Sequence, residues 1–118
     1  MNSDIWRQSE FEAELSYDAT LTCRVIETFL NDLSSALAAI QAAYADGQLD
    51  TLAKAVHYLY GSAAQLQLPT LEQHCRALHQ QALAQTLDYN LLQQLLDAAE
   101  QAQQCLSRYL TTSDYRAL

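Results

Sequence analysis

The chain has 118 residues, half of them apolar, which suffices for one small core but not for two. Its formal charge of −8 excludes electrostatic capture of nucleic acid or of an anionic membrane surface. Two glycines and one proline leave little turn punctuation among abundant Ala, Leu and Gln, so an all-α fold is expected.

The N-terminal stretch, about residues 3–16, spaces Ile5, Trp6, Phe11 and Leu15 as a short helix that could lie as a lid over one end of the fold. Acidic residues stand where a secretion signal needs a basic start, and no apolar run is long enough to span a bilayer. A cytoplasmic protein is expected.

From Thr20, Leu21, Val25, Phe29, Leu33, Ala36, Leu37, Ile40 and Tyr44 recur at helical steps up to Asp46-Gly47, which supplies a terminator. A second stripe, Leu52, Val56, Leu59, Ala63 and Leu66, predicts the next helix, with Asp50 placed to cap its start. Pro69 disfavours α conformation at Leu68 and suits a first turn, so that helix should stop near Gln67 and another begin at about Pro69. The new helix aligns Leu71, Cys75, Leu78 and Ala82. Asp88-Tyr89-Asn90 then opens a last helix with Leu92, Leu95, Ala99, Ala102, Leu106 and Tyr109 on one face.

Four amphipathic helices joined by short connections satisfy one another's apolar faces as an antiparallel up-down bundle. One domain is expected over residues 1–118, with the bundle at about 20–110 and the N-terminal helix added to it. The start at Met1 and the lack of a linker favour a free-standing protein, and a monomer is expected.

Cys23, Cys75 and Cys105 are widely separated and form no C-x-x-C pair, so they read as reduced core thiols rather than a disulfide framework or zinc site. His74 and His79 are five residues apart and do not share a helical face, so no metal is expected on them. His74 reads as a surface residue, and a metal or redox bundle built on His74, Cys75 and His79 has a poor ligand set.

His57 follows the core position Val56 and should present its ring on the bundle surface. Lys54 lies one turn before it, Tyr60 at i+3, and Gly61 and Ala64 one and two turns after it. Glycine in mid-helix costs about 1 kcal/mol against alanine, so Gly61 implies close approach by another surface, either within the protein or on a partner. Isolated His-x-x-x-Gly spacing does not distinguish these.

The longer string does. His57-Tyr58-Leu59-Tyr60-Gly61-Ser62-Ala63-Ala64-Gln65-Leu66 resembles the H-x-L-K-G-S-A-x-x-L signature of the histidine-containing phosphotransfer (HPt) family in all but one specified position, and Leu71, Cys75 and Leu78 resemble its downstream L-x-x-x-C-x-x-L pattern. The resemblance extends from about Leu21 to Leu110. It implies that His57 Nε2 accepts a phosphoryl group from the aspartyl phosphate of a response-regulator receiver and relays it to another receiver, in a bacterial-type two-component pathway. Partners would be receiver domains or a hybrid sensor histidine kinase. Mg²⁺ would come from the receiver, with no cofactor on this chain. Imidazole suits such a carrier because its neutral form is nucleophilic near pH 7 and its phosphoramidate remains reactive. No Gly-rich phosphate loop is present, so autonomous kinase activity is not expected.

Three positions depart from the family pattern. Tyr60 replaces the usual lysine, which leaves Lys54 or Arg76 to supply charge. His79 stands where the family offers Glu or Gln to orient the imidazole, and a neutral His79 could accept from His57 Nδ1–H. Its stripe, Glu72, Arg76, His79 and Leu83, should face the His57 helix. Gln67 replaces a glycine, which should remove the left-handed cap. Ser62 lacks a triad and is expected to support the histidine or the backbone, while Gly61 and Ala64 are expected to serve docking. The rival expectation is a degenerate HPt-like bundle that binds and modulates a receiver or kinase without carrying phosphate.

Overall fold

A computed structural model describes residues 2–112; Met1 and residues 113–118 of the expected domain lie outside them. Two short helices, α1 (Asn2–Ile5) and α2 (Gln8–Glu14), precede four long ones: α3 (Ala19–Ala45), α4 (Leu49–Gln65), α5 (Pro69–Leu83) and α6 (Tyr89–Thr112). Each long helix packs on its predecessor, and α6 closes against α3, giving the expected antiparallel up-down bundle. The predicted stripes of α4, α5 and α6 lie in the core, with Leu52, Val56, Cys75, Leu78, Leu95 and Leu106 fully enclosed.

The helix starts follow from local chemistry. Asp18 Oδ1 accepts from Leu21 N–H at 3.0 Å to cap α3, and Asp88 Oδ1 accepts from Asn90 N–H at 2.9 Å before α6. Asp50 does not cap α4. The helix begins one residue earlier, at Leu49, so Asp50 falls within its first turn, where a carboxylate still meets the positive end of the helix dipole.

The three bundle turns end their helices alike. Gly47 (φ 67°), Gln67 (φ 64°) and Gln85 (φ 61°) are all left-handed. In each turn the N–H two residues past the C-cap reaches back into the last helical turn: Gln48 to Ala43, Leu68 to Ala63, Thr86 to Gln81. The left-handed cap expected to vanish with glycine is therefore present at Gln67. Tertiary bonds hold it there, because the Gln67 carbonyl accepts from Arg7 N–H at 2.9 Å and its side-chain amide donates to Glu14 Oε1 at 2.5 Å.

The N-terminal lid is broken into α1 and α2 around Trp6, where one helix over 3–16 was expected. Trp6 is buried and its Nε1–H donates to the Leu66 carbonyl at 2.9 Å, an orphan acceptor at the end of α4. Its ring also meets Tyr109 of α6 edge-on at 5.0 Å, and Tyr109 Oη–H donates to Glu12 Oε2 at 2.8 Å. With 27 and 24 residues, α3 and α6 are longer than α4 and α5, which have 17 and 15, and the lid packs where the longer pair overhangs. This shifts the buried face of early α3. Thr22 and Cys23 turn inward and the predicted core residue Leu21 is exposed.

Candidate functional site

His57 is the ninth of the seventeen residues of α4, and Val56 beside it is wholly buried, which forces the imidazole outward. Of the three histidines it alone is exposed, while His74 and His79 are half-buried; the surface position expected for His74 is only partly realised. Across the α4–α5 seam, the His79 ring lies 5.5 Å from that of His57, centroid to centroid, at 39°. No hydrogen bond joins them. The expected approach of the α5 stripe to the His57 helix is thus realised, through His79 and Arg76.

Tyr60 flanks the pair with its ring nearly parallel to that of His57, 6.3 Å away at 15°. Arg76 Nη2–H donates to Tyr60 Oη at 2.9 Å, with the guanidinium carbon 5.5 Å from the ring centre and Glu72 Oε1 3.5 Å from Nη2. Arg76 is therefore held by two partners rather than freely solvated. Tyr60 occupies the lysine position of the resembled signature and brings in a cation from the next helix.

The two histidines stand between two shallow hollows. One, about 350 Å³, is lined by Asp50, Ala53, Lys54, His57, His79 and Leu83. The other, about 300 Å³, is lined by His57, Tyr60, Arg76, His79 and Gln80. Lys54 and Arg76 consequently address the histidines from opposite sides. Asp50 joins the first hollow without having been singled out for it, although its position two helical turns before His57 placed it on that face. Leu83, 64% exposed, adds apolar surface to the first hollow, whereas Tyr58 faces the α3 flank.

Gly61 and Ala64 continue the His57 face. A Cβ built on Gly61 would meet nothing within 4 Å, so no packing inside the protein requires glycine there. Ser62 looks to the other flank. Its hydroxyl donates to the Tyr58 carbonyl at 3.3 Å, and the residue lines a groove with Arg24, Phe29 and Asp32 of α3, not either histidine hollow. Its contact is with backbone rather than with His57.

Cys75 and Cys105 are free thiols, as expected. Cys75 lies in the core, where burial, reinforced by Glu72, pushes its thiol up to about 12. A protonated thiol facing inward is a poor partner for His74 or His79 as a ligand. Among the described residues no three His, Cys, Asp or Glu side chains are grouped to hold a metal ion, and no helix is long and apolar enough to cross a membrane.

Comparison with known proteins bears on the fold and the family. No curated protein matches the sequence. Among solved structures, the chain is similar to the HPT domain from the Hpt sensor hybrid histidine kinase from Shewanella, with a TM-score of 0.81 and 17% identity over 94% of this chain and 97% of that one. At that identity the likeness concerns the fold. The sequence pattern of the Hpt domain family matches residues 24–105, well over half of the chain and including both histidines of the seam, and the chain belongs to that family.

Proposed function

We propose that this protein is a phosphorelay carrier in which His57 Nε2 accepts a phosphoryl group from the aspartyl phosphate of one receiver domain and passes it to another. Hpt domains are phosphocarrier modules of two-component signalling, and membership of the family supports that role here. The single observation that favours His57 is its exposure at the middle of α4, beside a glycine whose outer face is open.

In the accepting step the Nε2 lone pair attacks phosphorus, the P–O bond to the receiver aspartate breaks, and that carboxylate leaves with its electron pair. The reverse sequence on a second receiver returns the imidazole to its neutral form. A neutral His79 would orient the ring by accepting from Nδ1–H after a small rotation, leaving Nε2 free. Lys54 and Arg76 would offset the incoming charge, and Mg²⁺ would be supplied by the receiver, so that positioning and electrostatics carry the chemistry. Gly61 and Ala64 would let the receiver surface approach. We further propose a cytoplasmic monomer, without kinase activity of its own, whose partners are receivers or a hybrid sensor kinase.

The experiment is incubation with a phosphorylated receiver, followed by assay for acid-labile label on wild type and His57→Gln. Label retained by His57→Gln would overturn the assignment. A second reading, a degenerate bundle that binds a receiver without taking phosphate, is favoured by one observation: the lysine position holds Tyr60, whose hydroxyl is already engaged by Arg76. It prevails if calorimetry detects receiver binding while wild type takes no label.

A further inference from the structure

Taking His57 as the phosphoryl acceptor, we propose that His79 is its proton-coupled charge partner, taking up one proton from solvent when His57 is phosphorylated and giving it back when the phosphoryl group leaves. The inference rests on the phosphocarrier reading above and adds a second, opposite role to that of His79 as a neutral acceptor.

The surroundings of His79 carry the argument. From α4 it faces His57 at 5.5 Å, with Lys54 and Asp50 in one hollow and Tyr60 in the other; from its own helix Arg76 lies one turn back, itself shared with Glu72. No residue of α6 lines either hollow. A proton on His79 in the unmodified protein would add positive charge to a site already holding Lys54 and Arg76. A phosphoryl group on His57 reverses that balance, because its negative charge outweighs the positive charge left on the Nδ1-protonated ring and lies within reach of His79. Imidazole is the side chain that most readily changes charge near neutrality, and apart from the acceptor the imidazole lining both hollows is that of His79.

The step balances simply. Phosphoryl passes from aspartate oxygen to His57 Nε2, Nδ1 keeps its proton, and His79 gains one from solvent. The hydrogen bond that His79 could accept before attack is no longer needed once the P–N bond exists, and the imidazolium can instead donate toward phosphoryl oxygen. Phosphorylation and proton uptake are then linked, so the phosphorylated carrier is favoured as pH falls and becomes a stronger donor as pH rises.

The test uses the full chain phosphorylated with the small-molecule donor phosphoramidate and follows the histidine ring signals by NMR. The His79 ring signals should change over a higher pH range in phosphorylated than in unmodified protein. The transfer equilibrium with a receiver should accordingly shift by up to about tenfold toward the carrier between about pH 8 and 6, after correction for the receiver alone. His79→Gln should lose the part of that pH dependence that wild type shows beyond the acceptor's own, and His79→Lys should retain phosphate at both pH values. The same His79 titration with and without the phosphoryl group overturns the coupling while leaving His57 as acceptor. A chain that takes no label on His57 overturns both.

Discussion

Arg76 of α5 donates to the phenolic oxygen of Tyr60 on α4 at 2.9 Å, so the side chain at the family's lysine position holds a cation instead of being one. The guanidinium is also shared with Glu72, which weakens its field at His57. Tyr60→Lys should therefore raise the rate of phosphoryl transfer several-fold, about 1 kcal/mol of added stabilisation for the moving group. Single-turnover transfer from a phosphorylated receiver measures it. A rate that stays the same or falls would show that Lys54 and Arg76 already suffice, or that Tyr60 serves docking.

Gly61 separates stability from docking. Since a Cβ there touches nothing, Gly61→Ala should stabilise the free bundle by about 1 kcal/mol through helix propensity alone. Gly61→Gln should fold equally well yet weaken receiver binding, because its side chain occupies the surface a partner would approach. Thermal melts and calorimetry read the two effects independently. Undiminished binding by the Gln variant would remove Gly61 from the docking surface.

The left-handed residues Gln67 and Gln85 should respond differently to glycine. At Gln85 the substitution relieves a conformation that costs a side-chain-bearing residue about 1 kcal/mol or more, so Gln85→Gly should be more stable than Gln85→Ala by about that amount. Gln67→Gly loses the bond to Glu14 along with the strain, and its net gain should be smaller. Chemical denaturation of the four variants, with Gln67→Ala as the fourth, tests the order.

Alkaline pH should destabilise the fold in a defined window. The Cys75 thiol ionises near 9.0 when unfolded but is pushed up to about 12 in the core, chiefly by burial. Its contribution is complete below pH 9 and declines as pH rises toward 12, by about 1.4 kcal/mol per unit. Tyr109 is raised in the same sense, first by burial and then by its hydrogen bond to Glu12, and adds to the loss. Melting temperatures from pH 8 to about 11 should fall, and less steeply for Cys75→Ala. An identical slope in that variant would assign the effect elsewhere.

Much of this fold is legible in the sequence because its signals are local. Pro69 and the stripes Leu52-Val56-Leu59 and Leu71-Cys75-Leu78 place α4 and α5, and Asp88 starts α6. What escaped local reading was decided by distant contacts. Trp6 breaks the lid helix because its indole serves the Leu66 carbonyl sixty residues away, and Leu21 yields its core place to Thr22 and Cys23 because early α3 meets the lid's end of the molecule. Gln67 shows the same limit, since its carbonyl is held by Arg7 and its side-chain amide by Glu14 of α2, rather than its conformation by its own preference.

The site divides in the same way. Exposure of His57 follows from Val56 beside it, and the approach of His79 from the α5 stripe. The bond between Tyr60 and Arg76 has no sequence signal, because sixteen residues and a turn separate two side chains that suit many partners. Ser62 was drawn toward His57 by proximity in sequence, yet five residues along a helix carry it around to the α3 flank.

The placement of His57 halfway along α4, with Val56 and Leu59 anchored in the core on either side, bears on where motion in a relay must reside. Amides at the centre of such a helix are released to solvent only when the bundle opens as a whole, whereas loops and ends open locally. The His57 ring can rotate on its own bonds, but its backbone is a fixed pedestal. Under the proposed function, any closing, gating or reorientation during transfer falls to the visiting domain, and one rigid face serves successive partners without being reset.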